Sequence, residues 1–262
     1  TGIVTDYYAP VTVNAGGIWG HHIAQMAGAN ISMFPAKGAL LIFAHRVNSV
    51  VINRCRKPAN ADILVPGDTV CVIGTTSTRV PYEECDHLKV TPDEVDLLLT
   101  EGAKLAPCLA ETRVLRAYAG VRPLVSADND PSGRNISRGI VCLDHETRDG
   151  IKGFISITGG KLMTYRLMGE MAADAVCKKL GRDAKCVTAD TPLPGSEPGG
   201  IEEISKKIWE VPTMVQKASV GRFGTQAANL DFDGDVKGSL VCECEEVSVS
   251  EVDSAIENLE VN

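Results

Sequence analysis

The sequence predicts an α+β protein. It combines two α/β-type strand–glycine–helix pieces, a mixed, largely antiparallel sheet with flanking helices, and a short helical piece at the C-terminal end. Three observations carry this. β-type runs meet paired glycines and then a helical pattern at "VNAGGIWG" (13–20) and again at "SITGGKLMTYRLMGE" (156–170). Short β-type runs separated by turn residues fill residues 39–76. The segment "SVSEVDSAIENL" (248–259) opens with Ser248 and Glu251 at capping-box spacing, which starts a helix.

In chain order, Val11 to Asn14 is a short strand that runs into Ala15, Gly16 and Gly17. Ile18, Ile23 and Met26 then give an apolar helical face. "ALLIFA" (39–44), "VVIN" (50–53), "DILVP" (62–66) and "TVCVIGTT" (69–76) are strands, punctuated by Pro66-Gly67-Asp68. "TPDEVDLLLTEGAKLAP" (91–107) has Thr91 as N-cap, Pro92 at the first helical position and acids in the first turn, so it is a helix. "TRVLRAYAGVRPL" (112–124) and "GIVCLDH" (139–145) are strands on either side of a polar turn, and "RDGIKG" (148–153) is a second turn. "FISITGG" (154–160) is a strand feeding a helix that runs to about Leu180. "TADTPLPGSEPGG" (188–200) is rich in proline, glycine and serine and marks a boundary. A helix from Ile201 and an irregular glycine-containing region follow.

Composition narrows the function. The 262 residues are 44% hydrophobic, enough for one large core or two smaller ones. A net charge of −8 argues against a nucleic-acid partner, which needs a basic face. No run approaches the roughly 20 apolar residues of a spanning helix. Nine cysteines without a disulfide-scaffold rhythm fit a reducing compartment. "TGIVTDYYAPVTVNAGG" reads as a hairpin entered midway, so the chain is expected to be an excerpt of a longer protein.

Four features could carry chemistry. A helix N-terminus presents unpaired N–H groups and about half a positive charge, and glycines let a ligand approach the backbone. Gly159, Gly160, Lys161, Leu162, Met163 and Thr164 would therefore suit an anion or the electron-rich edge of a flavin ring. The plain alternative is a tight turn with a solvent-facing lysine. Asn14, Ala15, Gly17 and Trp19 form a second junction of the same kind, and two such units can converge on one dinucleotide. Arg122, in "YAGVRPL", and Arg138, after the polar turn, could reach one anion if their strands pair, since arginine suits bidentate phosphate contact. Two solvated surface arginines are the default. Cys242 and Cys244, in "LVCECEEV", are spaced too closely for a zinc C-x2-C knuckle. They read either as buried thiols or as part of a larger metal-ligand set. His21, His22, His45, His87 and His145 read as ordinary surface or partly buried histidines, and none stands out as a general base.

"NAGGIWG", "FPAKGALLI", "IGTTSTRV", "YAGVRPL" and "TGGKLMTYR" occur in that order, and with them the chain resembles the FAD-dependent glycerol-3-phosphate dehydrogenases of the D-amino-acid-oxidase-like flavoprotein group. "INRCRKPANADILVPGDT", "DNDPSGRNISRGIV" and "VCECEEV" resemble the large-subunit type of the anaerobic bacterial enzymes. The resemblance covers nearly the whole chain and weakens between about Glu202 and Lys237.

It implies an incomplete FAD-binding fold whose dinucleotide fingerprint precedes Thr1. Residues 1–30 would be the middle FAD piece, 31–138 the substrate domain, 139–187 the late FAD piece and 188–237 a linker and helical region. Residues 238–262 would begin a [2Fe-2S]-binding domain of the bacterioferritin-associated-ferredoxin type. Asn14, Ala15, Gly17, Trp19 and Gly159 to Thr164 would bind FAD; Gly16 departs mildly from the family, where alanine is frequent. Arg122 and Arg138 would grip the phosphate of glycerol 3-phosphate, with Lys161 and, more weakly, Lys37 near the substrate. Cys242 and Cys244 would be the first two cluster ligands.

The implied reaction oxidises sn-glycerol 3-phosphate to dihydroxyacetone phosphate with hydride passing to FAD. Electrons would continue through partner subunits carrying flavin and iron–sulfur centres to quinone, at the inner face of the membrane, on an otherwise cytoplasmic protein. The 262 residues alone are expected to be inactive and to hold neither FAD nor a stable cluster. A related amino-acid-oxidising flavoprotein and a non-catalytic interaction module are the alternatives.

Overall fold

The computed structural model describes residues 2–67, 69–125, 139–196, 199–234 and 236–258. The chain divides into two compact units. The first comprises Thr1–Gly38, Ser77–Leu88 and Gly120–Thr191; the second comprises Ala39–Thr76, Lys89–Ala119 and Pro192–Asn262. The division falls inside two long strands, β2 (Met33–Phe43) and β7 (Val114–Val125), and inside the proline- and glycine-rich stretch after Thr188.

The first unit is built on a three-stranded sheet of order β1-β9-β8, from β1 (Thr12–Asn14), β8 (Ile140–Asp144) and β9 (Phe154–Gly159). β1 runs parallel to β9, with Val13 beside Ile155 and Asn14 beside Ser156, whereas β8 is antiparallel to β9. A parallel pair cannot be joined by a tight turn. Here the two strands lie more than a hundred residues apart in sequence and leave the sheet in the same direction. Helix α1 (Gly20–Met26) follows β1 through a single 3-10 turn, Gly17–Trp19. Short α3 (His145–Asp149) is capped by the Asp144 carboxylate, which accepts from the Glu146 N–H at 3.0 Å, and it ends at Gly150 in the left-handed region. α4 (Tyr165–Lys179) follows β9. The first half of β2 also belongs here and pairs with β6 (Thr78–Arg79), with Ala36 beside Arg79 and Lys37 beside Thr78. Ala24, Ala29, Ile31, Met33 and Phe154 form one small core, and Phe34, Ala36 and Leu124 another.

β2 starts six residues earlier than its apolar run suggests. Pro35, Lys37 and Gly38 break the hydrophobic pattern, but strand β6 supplies the partner: the Val80 N–H donates to the Pro35 carbonyl at 3.1 Å.

The second unit holds β3 (Ile52–Asn53), β4 (Ile63–Pro66), β5 (Cys71–Gly74) and the second half of β2, each antiparallel to the next. Helix α2 (Pro92–Leu105) starts at the expected place. Thr91 Oγ1 accepts from the Glu94 N–H at 3.3 Å and the Glu94 carboxylate accepts from the Thr91 N–H at 3.0 Å. Leu41, Phe43, Leu64, Ile73, Leu98 and Leu109 are fully buried together. Each such side chain contributes about 1.5–3 kcal/mol by its burial.

Beyond Pro192 come α5 (Gly200–Ile208), α6 (Met214–Phe223), hairpin strands β10 (Leu240–Cys242) and β11 (Val247–Ser248), and α7 (Val249–Asn258). The expected capping box is present at α7: Ser248 Oγ accepts from the Glu251 N–H at 3.2 Å and the Glu251 carboxylate accepts from the Ser248 N–H at 2.7 Å. The region expected to be irregular after α5 instead contains α6. Its start signal is the capping box of Thr213 and Gln216, with bonds of 3.2 and 2.9 Å. No described helix is long and apolar enough to cross a membrane.

Candidate flavin cleft and thiol turn

The first unit brings the two glycine junctions together. Because β1 and β9 are adjacent and parallel, both strands emerge at the same end of the sheet. There they wall a cleft of about 320 Å³, lined by Val13, Ala15 and Gly17 from one junction, Ile157, Thr158 and Gly159 from the other, Pro123 of β7, and Tyr165 and Met168 of α4. Gly17 takes φ +57° and opens onto empty space where a side chain would be. Gly159 takes φ +73°, and a β-carbon there would strike the Gly139 carbonyl oxygen. Both positions therefore demand glycine, for backbone conformation and for close approach. The hydroxyl of Thr158 is buried with no hydrogen-bond partner among the described residues, which leaves a polar handle in a largely apolar wall.

After Gly160, residues Leu162–Thr164 make one 3-10 turn that leads into α4. Thr164 Oγ1 accepts from the Lys161 N–H at 3.0 Å and donates to the Lys161 carbonyl at 2.7 Å, which locks the turn on itself. Lys161, Leu162 and Met163 are exposed. The cleft can hold a flat, mostly apolar ring against glycine backbone, whereas Lys161 and the Leu162–Thr164 turn follow Gly159 in the chain without lining it. The chemistry of the lining fits the flavin end of FAD.

Asn14 lies one layer beneath. It is buried, and its side chain serves the turn: Oδ1 accepts from the Gly16 N–H at 3.2 Å, and Nδ2 donates to the Gly20 carbonyl at 2.8 Å and to Ser156 Oγ at 3.1 Å. Ser156 Oγ in turn meets His145 Nε2 at 2.8 Å, and His145 Nδ1 meets the Asp149 carboxylate at 2.5 Å. An unbroken hydrogen-bond chain thus runs Asp149–His145–Ser156–Asn14 into the first junction. His145 is therefore not the ordinary surface or partly buried histidine that its sequence context suggests; it is fully buried and stacked on Phe154 with ring centres 4.7 Å apart. The signal that could have found it is its place at the end of a strand beside the Asp144 cap. The pairing with Ser156 depends on sheet register and is invisible in one dimension. Trp19 is 48% exposed and donates from Nε1 to Asp86 Oδ1 at 2.8 Å.

Of the proposed substrate-facing cations, Arg122 lies on β7 beside the cleft residue Pro123. Its guanidinium rests over Gly38, with Nη1 3.5 Å from the Ala36 carbonyl. Lys37 is buried in β2. Arg138 lies outside the described residues.

Cys242 and Cys244 belong to the second unit; Cys242 ends β10 and Cys244 lies in the turn to β11. Their sulfurs are 3.3 Å apart. The hydrogen bond between the two thiols lowers the Cys242 pKa and raises that of Cys244. The turn is clamped on all sides: Arg113 pairs with Glu243 at 3.0 Å, Arg116 with Glu245 at 2.6 Å, and Arg222 Nη2 donates to the Glu246 carbonyl at 2.7 Å. Glu246 Oε1 accepts from the Thr69 N–H at 2.6 Å. Two adjacent thiols on a rigid turn suit half of a cluster's ligand set. No group of three or more His, Cys, Asp or Glu residues arranged for a metal ion occurs among the described residues.

Comparison with known proteins agrees with this geometry. Residues 1–166 match the family model described as FAD dependent oxidoreductase (DAO). The chain is 60% identical over 257 residues to a subunit of the anaerobic glycerol-3-phosphate dehydrogenase of Haemophilus influenzae, covering 98% of this chain and 46% of that protein. It is 59% identical over 262 residues to the corresponding protein of Escherichia coli K12, which bears the same name, covering 100% and 48%. The chain therefore spans about half the length of these relatives. Among solved structures, the glycerol-3-phosphate dehydrogenase from Bacillus halodurans complexed with FAD superposes with a TM-score of 0.59 at 24% identity, covering 85% of this chain and 45% of that one. That likeness speaks for the fold. By its match over residues 1–166, the chain belongs to the FAD dependent oxidoreductase (DAO) family.

Proposed function

We propose that this chain is the part of an anaerobic-type glycerol-3-phosphate dehydrogenase large subunit that carries one face of the flavin site and the substrate-binding residues. The observation that carries the reading is the shared cleft: Ala15 and Gly17 from the β1 junction, Gly159 from β9 and Pro123 of β7 line one apolar cavity, and Arg122 directly precedes Pro123 on its strand. The names of relatives at 59–60% identity support the substrate.

A bound FAD would supply the hydride acceptor for C2 of sn-glycerol 3-phosphate, with the C2 hydroxyl proton released as the carbonyl of dihydroxyacetone phosphate forms. The chain's own residues bind and orient. Ala15, Gly17, Gly159, Gly160 and the Leu162–Thr164 turn hold the ring by backbone, with Asn14 shaping the first turn from below and Trp19 closing its end. Arg122 and Arg138, with Lys37, grip the phosphate and so hold the substrate in the site. Lys161 places a positive charge at the rim, where negative charge collects as the ring is reduced. Cys242 and Cys244 supply two thiolates to a [2Fe-2S] centre. Electrons leave through iron–sulfur partner subunits toward a membrane quinone, which places the assembly at the inner membrane face.

Replacing Arg122 with alanine in the full-length enzyme tests the substrate assignment. Loss of a charge-assisted bond costs about 1.5–3 kcal/mol, or roughly 10- to 100-fold in KM for glycerol 3-phosphate. An unchanged KM would contradict it.

A further inference from the structure

Gly38 sits inside β2, where glycine weakens a strand and needs a reason. Its backbone offers none, because its φ is not in the left-handed region that favours glycine. The reason is spatial. A β-carbon on Gly38 would lie 2.8 Å from both Cζ and Nη1 of Arg122 and nearer still to Nη2. The guanidinium therefore occupies the space a side chain would fill, with Nη1 3.5 Å from the Ala36 carbonyl. We infer that Gly38 is the seat of Arg122: a positioning residue that sets where the guanidinium meets the substrate's phosphate, and hence how strongly the enzyme prefers a phosphorylated polyol. This rests on the reading of Arg122 as a phosphate ligand.

The colliding atoms are the far end of a flexible side chain, so Gly38→Ala would be absorbed by moving the guanidinium and not the strand. A displaced guanidinium forfeits its bidentate fit, which depends on geometry as much as on charge. Binding would suffer at every stage of the reaction alike, so KM rises while kcat holds.

The test is a double-mutant cycle on the full-length flavoenzyme with Gly38→Ala, Arg122→Ala and both together, read as KM and kcat for glycerol 3-phosphate. Gly38→Ala should raise KM at least about fivefold with kcat within about twofold. Arg122→Ala should raise KM further, and the pair should match Arg122→Ala alone. If Gly38→Ala leaves KM unchanged, or its effect multiplies with that of Arg122→Ala, the seat is refuted while the phosphate reading stands. Should Arg122→Ala itself leave KM unchanged, the phosphate reading fails and takes the inference with it. If Gly38→Ala does not fold, folding in the Arg122→Ala background supports the seat, because the collision is with the guanidinium alone. Failure in both backgrounds overturns it.

Discussion

The two units are held by different chemistry. In the second, Leu41, Phe43, Leu64, Ile73, Leu98 and Leu109 close one apolar core. Its surface is laced with ions: Glu101 meets Arg54 at 2.8 Å and Lys104 at 2.6 Å, and Arg222 meets Glu251 at 2.6 Å. In the first, the apolar clusters are small, a polar chain runs from Asp149 through buried His145 and Ser156 to Asn14, and Leu162, Met163 and Tyr165 stand exposed. The difference is instructive. What the second unit presents for chemistry is the thiol turn. The first keeps apolar surface uncovered where a flat ligand can bury it, and it relies on backbone geometry and hydrogen bonds to hold that surface in shape.

If this contrast is right, damage to each unit has a separate signature. The largest effect comes from Leu98→Ala in the second unit: about 2–5 kcal/mol of stability, read by urea unfolding, while the visible flavin spectrum of the folded full-length protein stays unchanged. A shifted flavin spectrum would blur the contrast. Next is Gly159→Ala in the first unit. Its left-handed backbone alone costs about 1–3 kcal/mol, and the collision with the Gly139 carbonyl adds to it. Here flavin should be lost on gel filtration before the protein unfolds. Ser156→Ala is gentler, at about 1–3 kcal/mol, because it removes one of the two partners of Asn14 Nδ2 and leaves the buried His145 Nε2 without its partner. It should speed flavin release, as the Gly16–Gly17 turn loosens.

The smallest effect is one of acid. Hydrogen bonds from Lys104 first, and then Arg54, pull the Glu101 carboxyl down to about 2 from its ordinary 4.5. A group whose folded pKa is lowered stabilises the fold above its ordinary pKa, and that contribution fades as pH falls from about 4.5 through about 2. Glu101→Gln should therefore flatten the acid dependence of stability in that window. High salt should weaken the wild-type dependence.

The sequence disclosed features that are local in the chain. Thr91-Pro92 with Glu94, and Ser248 with Glu251, announce helix starts within four residues, and both caps are present. The glycine pairs likewise mark where strands turn into helices. Features that depend on partners far away in sequence were hidden. β2 extends beyond its apolar run because strands distant in sequence, β6 and β7, pair with it. His145 is buried because β9 brings Ser156 to it. Gly38 is legible as a seat only once β7 lays Arg122 across it. α6 is the exception, since Thr213 and Gln216 carried a local signal that the weak apolar pattern around them obscured.

At the centre of the functional reading, Ala15–Gly17 and Gly159–Thr164 grasp one ring from adjacent parallel strands. A crystal structure of the full-length protein loaded with FAD tests this most directly. The isoalloxazine should lie in van der Waals contact with the backbone of both segments, within about 4 Å. A ring that touches only one of them, or lies away from the cleft lined by Gly17 and Gly159, would contradict it.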